Sequence, residues 1–160
     1  MEIVLLFGGI ILVSTVVALV SARRLGVLIM GLAVGSLLSS LWSDRLAEVL
    51  VGAGLEISWL PAGVVASIIL LVAPLVLLLI SGPRYSGKFE RIFSSLIVGI
   101  MVAVFLVEPL GQFLVLSGEA LDAYRHLLDW WKYIMTTGLI IGVVDVFIMH
   151  TQKKSDKKKP

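Results

Sequence analysis

Three side chains near residue 125 have the types and spacing of a metal site. Asp122, His126 and Asp129 are four and three positions apart, so on a helix they share one face. Carboxylate and imidazole groups are ligands for hard or borderline divalent cations. The same spacing is typical of any helix face in contact with water, and we therefore expect neither a metal nor a cofactor.

Asp145 is the second residue with chemical potential, because it interrupts the apolar run GVVDVFIMH at 142–150. A charge at the centre of a bilayer costs about 2.5–3.5 kcal/mol. Asp145 precedes His150 by only five residues, about 7 Å along a helix, so we expect it near a membrane boundary. We predict an ion pair with Arg23 or Arg24. Proton or cation handling and a protonated, lipid-facing side chain are the alternatives.

No other residues form a known catalytic pattern. The sequence contains no GxSxG, no HExxH and no glycine-rich phosphate loop. It has no cysteine, which excludes disulfides and sulfur-based zinc sites. The sequence therefore predicts that the protein is not an enzyme.

The composition shows which elements must position these residues. Of the 160 residues, 59% are hydrophobic and 15% charged, with a mean hydropathy of +1.06, whereas about 25% of a soluble domain is charged. The chain is predicted to be an all-α integral membrane protein with residues 1–150 as one domain. Five apolar runs approach the ~20 residues that cross a bilayer: 3–20, 25–42, 59–80, 92–107 and 131–149.

The basic residues are distributed unevenly over the connections between these runs. Ten of the thirteen lysines and arginines fall in the first and third connections and the C-terminal tail. Such an excess marks the cytoplasmic side of a membrane protein. We therefore predict an outside N-terminus and a cytoplasmic C-terminus. Residues 151–160 are predicted to be a disordered basic tail, which could bind anionic lipid.

Two connections have helical periodicity of their own. In 43–56, Leu46, Val49 and Leu50 share one face; in 119–133, apolar and polar side chains separate more clearly. Segments of this kind lie in the membrane interface. The predicted architecture is a compact bundle of about five transmembrane helices with one or two interfacial amphipathic helices.

Small residues spaced four apart recur in the apolar runs, where they allow close helix contacts. Those contacts could lie within one chain or in a homo-oligomer, and small residues are also simply common in such helices. Pro74 interrupts the third run and predicts either a hinge or a static kink. The candidate packing residues are Gly31, Gly35, Gly63, Ser67, Gly99, Gly138 and Gly142.

The order of features over residues 1–110 resembles the colicin V production protein family. The matching stretches are the basic turn SARRLG, the amphipathic RLAEVL, and FERIFSSLIVGIMVAVFLV, in which Glu90-Arg91 stands for the family's acidic-basic pair. The chain departs from the family pattern in the first turn, in lacking an arginine within the fourth span, and in adding a fifth span. The resemblance implies a small bacterial inner-membrane protein associated with colicin export and envelope robustness.

We therefore expect a non-enzymatic membrane protein that supports envelope integrity or export. A small pore, transporter subunit or holin-like protein is the alternative. The expected partners are the lipid bilayer and either a second copy or another membrane protein, and no feature suggests nucleic acid.

Overall fold

The computed structural model describes residues 2–55, 60–83, 88–111 and 119–156, and every regular element in these ranges is an α-helix. Four of the helices are long and apolar enough to cross a membrane, while the first contributes the shorter apolar stretch Leu5–Ser21. This confirms the all-helical architecture and fits a membrane protein. The helices are α1 (Glu2–Ser21), α2 (Leu25–Gly52), α3 (Ala62–Ser81), α4 (Lys88–Gly111) and α5 (Glu119–Asp156).

The two amphipathic stretches continue long apolar helices without a break, and their position in the membrane interface stays a prediction. The 43–56 stretch continues α2 as far as Gly52, and the 119–133 stretch is the first part of α5. Periodicity identifies the apolar face of a helix but not its ends. Neither Pro nor Gly stands within 43–51 or 120–137, so nothing there interrupts the backbone hydrogen bonds.

Two helices extend beyond the apolar runs of the sequence, and the sequence left open whether the fourth passes Glu108. Helix α4 continues past Glu108 and Pro109 to Gly111, because a proline in the last turn removes only one hydrogen bond. Helix α5 continues to Asp156, so the first six residues of the predicted disordered tail are helical. Lysines are favourable near a helix C-terminus. Residues 157–160 lie outside the described residues.

Helix α2 is the centre of the bundle. It packs most extensively against α3 and also contacts α4 and α5, while α1 lies mainly against α4. Helices α2 and α3 are antiparallel, because Gly31 contacts Leu78 and Gly35 contacts Leu71. The same is true of the other main pairs. Consequently α1, α3 and α5 finish at the end of the bundle where α2 and α4 begin, which we call the basic end.

The core lies where α2, α3 and α4 meet. Leu28, Ile29 and Leu32 of α2 are fully buried against Leu71 of α3 and Met101 of α4. The outer faces are apolar as well. Large exposed hydrophobic residues include Leu12, Val20, Leu41, Leu77, Ile80, Ile140 and Phe147. An apolar exterior of this extent suits lipid rather than water.

Five of the six predicted packing glycines mark close approaches between helices. A Cβ at Gly35 would collide with the backbone of Leu71, and one at Gly99 with Thr15. Gly31 lies against α3, Gly138 against Met101 and Gly142 against Ile29. These contacts occur within one chain, as expected where small residues let helix backbones approach.

Gly63 and Pro74 have different surroundings. A Cβ at Gly63 would meet nothing within 4 Å, so this glycine marks no close approach within the chain. Pro74 lies inside α3, and its carbonyl oxygen is 3.5 Å from the position of a Cβ at Gly31. Pro74 thus lies at the α2–α3 contact, and its role as a hinge stays a prediction.

The turn between α1 and α2 predicts a stabilising substitution. Ala22 follows α1 with φ +53°, a left-handed conformation that glycine adopts without steric cost. We expect Ala22→Gly to raise the free energy of unfolding by about 0.5–1 kcal/mol. Reversible unfolding in mixed detergent measures this change. Ala47→Gly, inside α2, should have the opposite sign, and a loss of stability in both variants would contradict the prediction.

Candidate functional site at the basic end

Arg23 closes the C-terminus of α3. Its Nε donates a hydrogen bond of 2.9 Å to the carbonyl oxygen of Leu79, and its terminal nitrogens donate to the carbonyl oxygens of Ile80 and Gly82. The last carbonyls of a helix have no intrahelical donor and carry partial negative charge. The guanidinium group of Arg23 suits these carbonyl oxygens, because it has several N–H donors and is always positively charged.

Arg91 has the equivalent role for α1. Its Nε donates a hydrogen bond of 2.6 Å to the carbonyl oxygen of Leu19, two residues before α1 ends at Ser21. Arg91 lies in the first turns of α4, beside which α1 ends. The α1–α4 pair is therefore joined at this end by charge as well as by packing.

Asp145 binds the beginning of α2. Its Oδ2 accepts a hydrogen bond of 2.9 Å from the backbone N–H of Gly26, one of the four N–H groups at a helix start that lack an intrahelical acceptor. The residue at the cap position itself, Arg24, makes no side-chain capping bond. A carboxylate from a distant helix therefore acts as the cap, where negative charge is also favoured by the helix dipole.

This contact requires Gly26 to be a glycine. A Cβ there would lie 3.0 Å from Asp145 Oδ2 and 2.8 Å from Val146 Cγ2, and would collide with the carbonyl oxygen of Gly142. Absence of a side chain at Gly26 lets α2 and α5 approach closely enough for the bond. The spacing of Gly142 and Asp145, which places them on one helix face, was the available signal for it in the sequence.

Of the two arginines predicted to pair with Asp145, Arg24 lines the same cavity as Asp145 and Arg23 does not. Arg23 is directed to α3 instead. The pairing of Asp145 with Arg24 stays a prediction. The roles of Gly26 and Arg91 were not found by sequence reasoning, because each depends on which helix lies beside it.

The cavity lies between the start of α2, the start of α4 and the end of α5, and has a volume of about 520 Å³. Its polar groups are one guanidinium, two carboxylates and a hydroxyl, and its walls include two phenylalanines. Charges of both signs beside an apolar wall suit binding of an amphipathic molecule. The polar lining residues are Arg24, Glu90, Ser94 and Asp145.

A second polar cavity, the serine pocket, lies toward the opposite end of the bundle. It has a volume of about 260 Å³ and combines serines of α2 and α3 with Glu108 of α4, above a floor of Leu71 and Phe105. Sequence reasoning assigned Ser67 to packing and ended the fourth apolar run at residue 107, before Glu108, so it missed this convergence. Its serines are Ser36, Ser39, Ser40, Ser43 and Ser67.

The spacing that suggested a metal site leads to an exposed helix face. Asp122 Oδ1 lies 3.9 Å from Arg125 Nη1, with both side chains mostly exposed, and His126 and Asp129 are exposed too. In the part of the chain that the structure describes, no three His, Cys, Asp or Glu side chains are grouped as metal ligands would be.

No protein-family model, curated protein or solved structure matches the chain. The resemblance to colicin V production proteins thus stays a prediction from the residues quoted above. The class of protein follows from the structure itself: a bundle with four helices long and apolar enough to cross a membrane and an apolar exterior fits a membrane protein.

Proposed function

We propose that this chain is a non-enzymatic polytopic protein of a bacterial cytoplasmic membrane that supports envelope integrity or export. In this proposal all five helices cross the bilayer, with the N-terminus outside and the C-terminus in the cytoplasm. The basic end of the bundle then faces the cytoplasm, in agreement with the distribution of lysines and arginines.

The proposal is supported chiefly by what the charged side chains at the basic end bind. Arg23, Arg91 and Asp145 each bind backbone groups of a neighbouring helix. Side chains held in this way stabilise the arrangement of helices, and neither Arg23 nor Arg91 lines the cavity at the basic end. This supports a structural or accessory role over an intramembrane enzyme.

The partners follow from the exterior. Helix α5 is the least buried of the four long apolar helices. It exposes Ile140, Val143 and Phe147. This face would contact lipid, a second copy of the chain or another membrane protein. The basic tail would lie at the anionic cytoplasmic surface, at about 1 kcal/mol for each lysine close to it.

Envelope permeability tests the proposed function. A strain of the source bacterium lacking this protein should take up an apolar fluorescent dye faster and should be more sensitive to detergent. The wild-type chain should restore both properties, and a control with Gly63→Ala, at an open position, should restore them equally. Unchanged permeability in the deletion strain would overturn the proposal.

A small transporter is the second candidate, favoured by the two polar cavities. One lies at the basic end and the other toward the opposite end of α2 and α4, with the apolar core between them. A carrier could expose each cavity in turn. Solute efflux from proteoliposomes that Asp145→Asn abolishes would support this function, whereas no efflux above empty liposomes from folded protein would exclude it.

A further inference from the structure

The serine pocket contains an acid, Glu108, that has no ion pair within the described residues. The ion pairs of Arg45 with Glu48 and of Arg125 with Asp122 do not involve it. The lining of the pocket contains no basic residue. A carboxylate beside an apolar floor and neutral hydroxyls produces a negative potential that favours a positively charged ligand.

The side chain of Ser39, which is largely buried and lines the pocket, is a second and independent indication. Ser39 is 8% exposed, yet within the described residues its hydroxyl takes part in no hydrogen bond. The hydroxyl of the neighbouring Ser40, in contrast, donates a hydrogen bond of 2.9 Å to the carbonyl oxygen of Leu37. Buried polar groups in proteins are normally hydrogen-bonded. The free hydroxyl of Ser39 lines the pocket, where a ligand could satisfy it.

The composition and size of the pocket restrict the ligand. Five hydroxyls and one carboxylate offer oxygen acceptors on several sides, which suits a group with several N–H donors, such as a primary ammonium with three. The volume of about 260 Å³ is many times the roughly 10–15 Å³ that one water needs in a cavity. A small organic amine fits this space better than a bare metal ion. Phe105 adds an aromatic wall suitable for a cation.

We propose that the serine pocket binds a primary ammonium group, with Glu108 as its counter-ion and Ser39 as a hydrogen-bond acceptor. The group could belong to a free amine or to an ethanolamine lipid headgroup, since the recognising chemistry is the same. This inference does not depend on the envelope function, because binding is measured at equilibrium on the purified chain.

Calorimetric titration of the full chain in detergent with ethanolamine, at constant ionic strength, tests the proposal. Glu108→Gln should weaken binding at least about tenfold, as expected for loss of a charge-assisted hydrogen bond. Ser39→Ala should weaken it about five- to tenfold. Ser81→Ala, a serine outside the pocket whose hydroxyl also donates to a backbone carbonyl, and the exposed Glu48→Gln are matched controls that should bind as the wild type does. Thermal unfolding of each variant confirms that it is folded.

Two further measurements test which chemical group the pocket recognises and whether it comes from a lipid. Choline carries the same charge but has no N–H donor, so it should bind at least about tenfold more weakly than ethanolamine. Wild-type chain in nanodiscs containing phosphatidylethanolamine should show a higher unfolding temperature than in phosphatidylcholine if the headgroup is the source, and Glu108→Gln should remove the difference. Equal binding of choline and ethanolamine, unchanged binding in both pocket variants, or no response to either amine source would each overturn the proposal.

Discussion

Gly35→Ala is expected to lower the free energy of unfolding by about 1–3 kcal/mol, the usual cost of inserting atoms into a packed contact. A Cβ at this position would collide with the carbonyl oxygen of Leu71 and lie 2.9 Å from its carbonyl carbon and Cα. These are backbone atoms of α3, so no side-chain rotation relieves the collision. The two central helices of the bundle would have to move apart.

Gly63→Ala is the matched control, because it makes the same change on α3 where nothing lies within 4 Å of the new Cβ. It should leave stability unchanged or raise it by up to about 1 kcal/mol, since alanine favours the helix. Reversible unfolding in mixed detergent gives both values. Equal effects of the two substitutions would mean that Gly35 lies at no close contact, contrary to the structure.

Asp145→Ala is expected to lower the free energy of unfolding by about 1–3 kcal/mol, because it leaves the Gly26 N–H without its acceptor. Asp145→Asn retains an acceptor oxygen and loses only the charge. It should cost about 0.3–1 kcal/mol, the contribution of a charge at a helix end. Both values come from the same unfolding measurement in detergent.

The comparison of these two variants separates two roles of the carboxylate. If Asp145 acts chiefly as the cap of α2, asparagine retains most of the stability that alanine loses. If an ion pair with Arg24 dominates, asparagine and alanine destabilise the protein equally. Arg24→Gln, measured in the same way, should then cost as much as Asp145→Asn. Equal losses in the two Asp145 variants would therefore contradict the capping role.

The predicted packing residues show how far sequence reasoning reaches. Gly35 and Gly63 both belong to patterns of small residues spaced four apart, yet one lies against the backbone of α3 and the other against open space. The spacing identifies a face on which a neighbour could approach. Which faces are used depends on the pairing of the helices, to which every helix contributes.

The ends of the helices were also only partly predictable. Apolar runs stop where charged residues begin, and the sequence therefore placed an end of the second span near Trp42, whereas α2 continues to Gly52. Hydropathy reports the solvent that a residue prefers, while helical hydrogen bonding continues through polar residues until a breaker or a cap intervenes. Ala53 and Gly54, with φ +71° at Gly54, supply that end.

The sequence by itself determined the class of fold and the location of the basic end. Both follow from sums over many residues, since apolar composition and charge act through solvation that each segment experiences independently of its neighbours. Only the tertiary structure decided what the polar residues do. Asp145 meets Gly26 across 119 positions, and Glu108 joins the serines of two other helices, because side chains on separate helices converge only once those helices have packed.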